Sequence, residues 1–300
     1  MPVELCGVKL KNPLIAASGT FGFGREYDEL YDISAWGAVS VKGLTDEPRA
    51  GNPPPRIAET ASGILNSVGL QNPGVGAFIR DELPRLVSRG VAVIANVAGS
   101  TAESYTEAVR KLSDAPVAII ELNISCPNVR QGGAQFGASP EEAARVISVV
   151  RKVCSRPLMV KLSPNVTDIT AIARAAEDAG ADAVSLINTV TGMAIDARAR
   201  RPVLANITGG LSGPAIKPIA LRMVWQTAAS VRIPVVGMGG IMTGTDAAEF
   251  MIAGATAVMV GTANIADVMA GHRILRELGE FLDKNGIEDV SELTGSLILD

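Results

Sequence analysis

The segment Glu121–Gly137, ELNISCPNVRQGGAQFG, carries the most chemically suggestive residue of the sequence, Cys126. Pro127 stops a helix from running through the cysteine, and Gly132, Gly133 and Gly137 make the following loop pliable. A thiol in such a setting suits a base, a metal ligand or a redox group better than packing. The sole histidine, His272, sits in the amphipathic stretch GHRILRELGEFL, where it reads as a surface or satisfied helical residue. An HExxH zinc site and any two-histidine shuttle are therefore excluded, and a Cys–His nucleophile is disfavoured. A metal at Cys126 would need further ligands, whereas the other candidate site residues are mainly Asn and Lys. A thiolate base is the best chemical reading. Cys6 and Cys154 fit better as small buried hydrophobes. Three scattered cysteines make no disulfide framework and suit a reducing cytosol.

The remaining polar candidates fall at the ends of apolar runs. Ser18 follows a first run, Pro13–Ala17, and Lys42 ends Ala38–Lys42. Asn96 ends Val91–Asn96 and Asn123 ends Val117–Asn123. Lys161 lies near the end of Leu158–Leu162, and Asn188 with Thr189 closes Ala183–Asn188. Gly239 and Gly240 follow Ile233–Met238, and Gly261 and Thr262 follow Thr256–Val260. Continuous apolar runs of this length are strands buried on both faces, as in a parallel sheet. Helical stretches lie between most of them. Thr101–Leu112 has Thr101 and Ser104 as candidate caps, and Ser139–Val153 has Ser139 at the N-cap, Pro140 at N1 and Glu142 at N3. Thr167–Ala179 and Thr243–Ala253 end at Gly180 and Gly254.

Eight strands in βα alternation predict an α/β fold, the (β/α)8 or TIM barrel, as a single domain over residues 1–300 with its active site at the C-terminal mouth of the strands. A doubly wound open sheet is the alternative. The Pro-rich stretch EPRAGNPPPRIAET reads as an insertion at the mouth. Gathered into one mouth, buried Asn and Lys side chains need a polar ligand as partner. Glycine turns after strands seven and eight are placed to hold a phosphate. Neither GxGxxG after strand one nor GxxxxGK[ST] occurs.

Composition agrees. Net charge is −4 and no run of basic residues marks a nucleic-acid surface. The first residues, MPVELCGVKLKNPL, lack the apolar core of a signal peptide, and no eighteen-residue apolar stretch predicts a membrane span. A cytoplasmic protein with no nucleic-acid or membrane partner is expected.

Four motifs together, ELNISCPNV, NSVGLQNPG (Asn66–Gly74), SGTFGFGREY (Ser18–Tyr27) and GMGGI…GT, resemble the dihydroorotate dehydrogenase family, from about Leu5 to Phe281. Within that family, a cysteine base and no N-terminal helical extension resemble class 1. The NVRQGGAQFG loop and the NSVGLQNPG form resemble class 1B, whose FMN-binding catalytic subunit works with an electron-transfer subunit carrying FAD and a [2Fe-2S] cluster and passes electrons to NAD. The fumarate-linked class 1A is the nearest alternative, and a phosphate-sugar lyase or isomerase using Lys161 is a more distant one.

The resemblance implies FMN contacts at Ser18, Lys42, Gly43, Asn96, Asn123, Lys161, Ile187, Gly213, Gly239, Gly240, Gly261 and Thr262. It implies dihydroorotate contacts at Lys42, Asn66, Ser67, Val68, Gly69, Leu70, Asn123, Asn188 and Thr189, and no metal. It also implies oxidation of (S)-dihydroorotate to orotate in pyrimidine (UMP) biosynthesis. Cys126 takes the C5 proton, flavin N5 takes the C6 hydride, and the loop Val129–Gly137 closes over the substrate. Two catalytic and two electron-transfer chains are the expected assembly. Physical chemistry fits these roles. Lys161 can neutralise charge on reduced flavin. Asn amides match the alternating N–H and C=O groups of a pyrimidine ring. No arginine is placed to clamp the substrate carboxylate, so Lys42 with backbone and Asn donors must serve.

Overall fold

The computed structural model describes residues 1–125 and 136–299. Eight parallel strands close into a barrel: β1 (Leu14–Ala16), β2 (Ala38–Ser40), β3 (Val93–Val97), β4 (Ile119–Asn123), β5 (Leu158–Lys161), β6 (Ala183–Leu186), β7 (Val235–Met238) and β8 (Ala257–Val260). Neighbours follow chain order, and β8 pairs with β1 through Val258↔Leu14 and Met259↔Ile15, which closes the ring. Every residue of these strands is buried. Their continuous apolar runs are therefore a consequence of burial on both faces. All eight expected strands form, with their ends within two residues of those expected: most are trimmed, and β3 starts two residues later but runs one residue past Asn96 to Val97.

The outer layer consists of α1 (Leu83–Ser88), α2 (Ala102–Ser113), α3 (Pro140–Arg151), α4 (Ile169–Asp178), α5 (Lys217–Ala228), α6 (Gly244–Ile252) and α7 (Ala270–Asn285). Between β1 and β2 stand only a single turn, Arg25–Asp28, and a 3-10 turn, Ile33–Ala35. Thr101 and Ser104 form a reciprocal capping box on α2, and Ser139 Oγ accepts from Glu142 N at 3.3 Å on α3. The N-cap of α4 is Asp168, whose carboxylate accepts from Thr170 N at 2.9 Å.

Two additions frame the barrel. A hairpin, Val3–Leu5 with Val8–Leu10, lies at the N-terminal end of the strands, where Cys6 Sγ meets Asp182 O just before β6. A four-stranded antiparallel sheet stands at the other end. Its order is Val190–Met193, Thr208–Ser212, Gly63–Asn66 and Ile57–Thr60, so it joins the insertions after β2 and β6. The Pro-rich stretch does lie at the mouth, but its last residues, Ile57–Thr60, form an edge strand of this sheet rather than loop.

Candidate active site

The C-terminal ends of the strands and the inner face of the antiparallel sheet enclose one cavity. Its wall includes Ser18, Lys42, Gly43, Asn66, Val68, Gly69, Leu70, Asn96, Asn123, Lys161, Ile187, Asn188, Thr189, Gly213, Gly239, Gly240, Gly261 and Thr262. Sequence reasoning named each of these. Ser67 stands apart: it is fully buried, it does not line the cavity, and its Oγ has no hydrogen-bond partner among the described residues. Cys126 and residues 127–135 of the expected closing loop lie outside the described residues.

Alternation along the strands sets the polar floor. Asn123, the last residue of β4, is in register with Lys161, the last residue of β5, and both line the cavity. Lys161 is 5% exposed, and its side chain makes no hydrogen bond or ion pair among the described residues. A buried ammonium without an acceptor costs on the order of several kcal/mol. The site is therefore built to receive a negative or electron-rich group at that point.

Two residues deeper on β4 lies Glu121, fully buried. Its Oε2 accepts from Ser40 Oγ at 2.9 Å and Asn96 Nδ2 at 2.6 Å, and its Oε1 accepts from Ser185 Oγ at 2.6 Å. Asn96 Oδ1 in turn accepts from Asn123 Nδ2 at 3.3 Å. Asn123 Oδ1 accepts from Ser125 N at 3.2 Å and Ser125 Oγ at 2.8 Å. Asn188 Nδ2 donates to Ser125 Oγ at 2.7 Å, and Asn188 Oδ1 accepts from Thr189 N at 2.7 Å. Tyr105 of α2 donates to Asn123 O at 2.7 Å and fixes the end of β4 from outside. Glu121, Ser40 and Ser185 were not singled out from sequence. The available signal was an acid, ELN, inside an otherwise apolar strand.

The ends of β7 and β8 supply a different chemistry. The N–H groups of Gly240, Gly261 and Thr262 donate to no acceptor among the described residues. Gly240 has φ +79, and a Cβ there would stand 2.8 Å from Lys217 Cβ, so only glycine permits this turn against α5. The turn is braced from behind. Asp246 accepts from Met242 N at 2.9 Å and Thr243 N at 2.8 Å and pairs with Lys217, which also meets Glu249 at 2.7 Å. Burial pushes the Asp246 carboxyl up, but the Lys217 ammonium and the two loop residues together hold it below the ordinary value. Burial likewise opposes charge on Lys217, and its two acid partners outweigh it, so its ammonium is held above the ordinary value.

The loop Asn66–Leu70 forms another wall. Leu70 adopts φ +62, a left-handed conformation that costs a non-glycine residue on the order of 1–3 kcal/mol. Asn72 holds it there: Nδ2 donates to Leu70 O at 2.7 Å, while Oδ1 accepts from Gly74 N at 2.8 Å and Thr45 N at 3.1 Å. Ile187, Met238 and Met259 add apolar wall suited to a flat ring.

At the other two cysteines burial disfavours the thiolate. Burial, helped by Asp182, pushes the Cys6 thiol up to about 12, and burial also raises that of Cys154. His272 on α7 packs its ring edge-on against Tyr31 at 4.6 Å, as a helical packing residue. No group of acids, cysteines or histidines suited to a metal occurs among the described residues. No helix among them is long and apolar enough to cross a membrane.

A parallel (β/α)8 barrel with a buried lysine, ordered amides and glycine turns gathered at one mouth defines the class: a barrel enzyme with its site at the C-terminal ends of the strands. The particular family follows from comparison. The family profile described as Dihydroorotate dehydrogenase matches residues 1–282. A protein of Geotalea uraniireducens (strain Rf4) named "Dihydroorotate dehydrogenase B (NAD(+)), catalytic subunit" is 57% identical over 299 residues, covering 99% of this chain and 98% of that one. Proteins of the same name from Alkaliphilus oremlandii (strain OhILAs) and Geobacter sulfurreducens (strain ATCC 51573 / DSM 12127 / PCA) are each 56% identical, with the same coverage of both chains. The chain belongs to the dihydroorotate dehydrogenase family, a family of oxidoreductases.

Proposed function

We propose that this protein oxidises (S)-dihydroorotate to orotate in pyrimidine (UMP) biosynthesis, as the cytoplasmic, single-domain catalytic subunit of an NAD-linked enzyme. The observation that carries the reading is the Lys161 ammonium, in register with Asn123 on the cavity floor and without a side-chain partner among the described residues. Full-length similarity to relatives named as NAD(+)-type catalytic subunits supports the NAD link over fumarate. Family membership leaves the sugar-phosphate lyase alternative without support.

The residues present fit FMN. Gly240, Gly261 and Thr262 offer to its phosphate N–H groups that have no acceptor among the described residues, and Lys161 offers a buried cation to the edge of its ring system. Bound there, FMN supplies a two-electron acceptor for the C6 hydride. Ser18, Gly43, Asn96, Ile187, Gly213 and Gly239 would complete its walls. Asn66, Asn123, Asn188 and Thr189 present polar groups to the dihydroorotate ring, while Lys42 takes its carboxylate. Cys126 removes the C5 proton. Electrons leave through a partner carrying FAD and a [2Fe-2S] cluster, in an assembly of two catalytic and two electron-transfer chains. The name "catalytic subunit" borne by the relatives supports such a partner.

The test is turnover of dihydroorotate with an artificial acceptor by the purified flavin-loaded chain, followed by orotate absorbance. Orotate formation is expected. A chain that binds no flavin and forms no orotate would overturn the reading.

A further inference from the structure

Glu121 is a fully buried acid that the proposed chemistry does not use. In each of the three hydrogen bonds that its side chain makes among the described residues it accepts, from Ser40, Asn96 and Ser185. An acceptor at this place forces an amide beside it to present its NH2 end. Asn96 therefore turns Nδ2 down to Glu121 at 2.6 Å and leaves Oδ1 facing Asn123. Asn123 must then point Nδ2 at Asn96, and its Oδ1 is taken by Ser125 N and Oγ. The consequence reaches the cavity, because Asn123 Oδ1 already holds two donors while Nδ2 keeps a second hydrogen.

We propose that Glu121 is a positioning residue: acting as an acceptor through Asn96, it fixes Asn123 to offer N–H, and so selects a ring carbonyl at that point of the cavity. This rests on the reading that the cavity takes dihydroorotate and orotate. What matters in Glu121 is the acceptor facing Asn96. Its charge is not required. A glutamine can keep that acceptor by placing its oxygen toward Asn96 and its NH2 toward Ser185, whose hydroxyl can accept.

Orotate binding to the purified flavin-loaded chain, measured by isothermal titration, tests this in a double-mutant cycle. Glu121→Met removes the acceptor at similar volume and is expected to weaken orotate at least about tenfold with flavin content retained. Glu121→Gln is expected to stay within about threefold of the parent protein. Asn123→Ala should cost much less in the Glu121→Met background than in the parent, since an amide of unfixed orientation has less to lose. Additive losses, an unchanged Glu121→Met, or a tenfold loss in Glu121→Gln would each overturn the role. Should Glu121→Met not fold, the Gln arm and a cycle of Asn96→Leu with Asn123→Ala give the same decision, because the relay requires Asn96 and Asn123 to be coupled. A parent protein that does not bind orotate overturns the functional reading itself, a result distinct from additivity in a protein that binds it.

Discussion

Asn123 and Lys161 end adjacent strands in register, so a neutral amide and a buried ammonium stand side by side on the cavity floor. The two have different supports. Asn123 is held on both sides, by Asn96 and Ser125, whereas Lys161 has no protein partner among the described residues. An amide so fixed orients a ring, and a cation so left waits for charge.

Lys161→Ala is accordingly expected to slow flavin reduction by dihydroorotate about 10²–10³-fold, or about 2.7–4 kcal/mol of barrier, the usual cost of losing such a stabilising group. Flavin retention should change little, since the glycine turns at β7 and β8 remain. Stopped-flow reduction beside flavin content measures both, and reduction at the parent rate would remove the role.

The brace behind the β7 turn gives a pH-dependent prediction. Asp246 has a folded value held below the ordinary carboxylate value of about 3.9, so its stabilising contribution is present above that pH and is lost as pH falls through the lower folded value. Asp246→Asn should destabilise the protein by about 1.5 kcal/mol near neutrality, the low end for a hydrogen bond to a charged group at a partly exposed site. Urea unfolding at pH 7 and pH 3 is the check. The gap between variant and parent should narrow at pH 3, and a constant gap would assign the loss to packing.

Thiol labelling separates the three cysteines. With its thiol at about 12, Cys6 is almost wholly un-ionised at pH 8, and burial disfavours the Cys154 thiolate as well. Iodoacetamide followed by peptide mass spectrometry should modify Cys126 and spare the other two, with protection of Cys126 by orotate. Faster labelling of Cys6 or Cys154 would contradict the assignment of Cys126 as the reactive base. Cys126→Ser should reduce flavin slowly near neutral pH and recover partly at high pH, since a hydroxyl ionises far less readily.

Much of this site was readable in advance because a parallel barrel turns a simple pattern into geometry. Runs such as VAVIAN and LMVKL reveal fully buried strands, and the polar residue at the end of each run must reach the mouth. Glu121, Ser40 and Ser185 were harder. Whether a strand residue faces the barrel axis or the helices depends on pleat phase and on the stagger between strands, which a continuous apolar run does not display. The sheet over the mouth was also missed. Its strands GILN and TGGLS are short and glycine-rich, and they pair across 144 residues between Asn66 and Gly210. Asn72 escaped because its work is on backbone groups of Leu70, Gly74 and Thr45, a role that only the folded loop reveals.

The purified chain without its partner should not reduce NAD efficiently. Its glycine turns fit one phosphate, and three dispersed cysteines cannot ligate a four-cysteine cluster. Dihydroorotate-dependent NADH formation should appear only when an FAD and [2Fe-2S] subunit is added. Efficient NADH formation by the chain alone would contradict the two-subunit route.

Oxidation of dihydroorotate at a flavin bound in the barrel mouth is tested most directly by anaerobic mixing of the purified yellow chain with (S)-dihydroorotate. The expected result is loss of the flavin's visible absorbance together with one orotate formed per flavin, and a rate that collapses in Cys126→Ala while the yellow colour persists. A flavin that stays oxidised in the presence of excess dihydroorotate would contradict it.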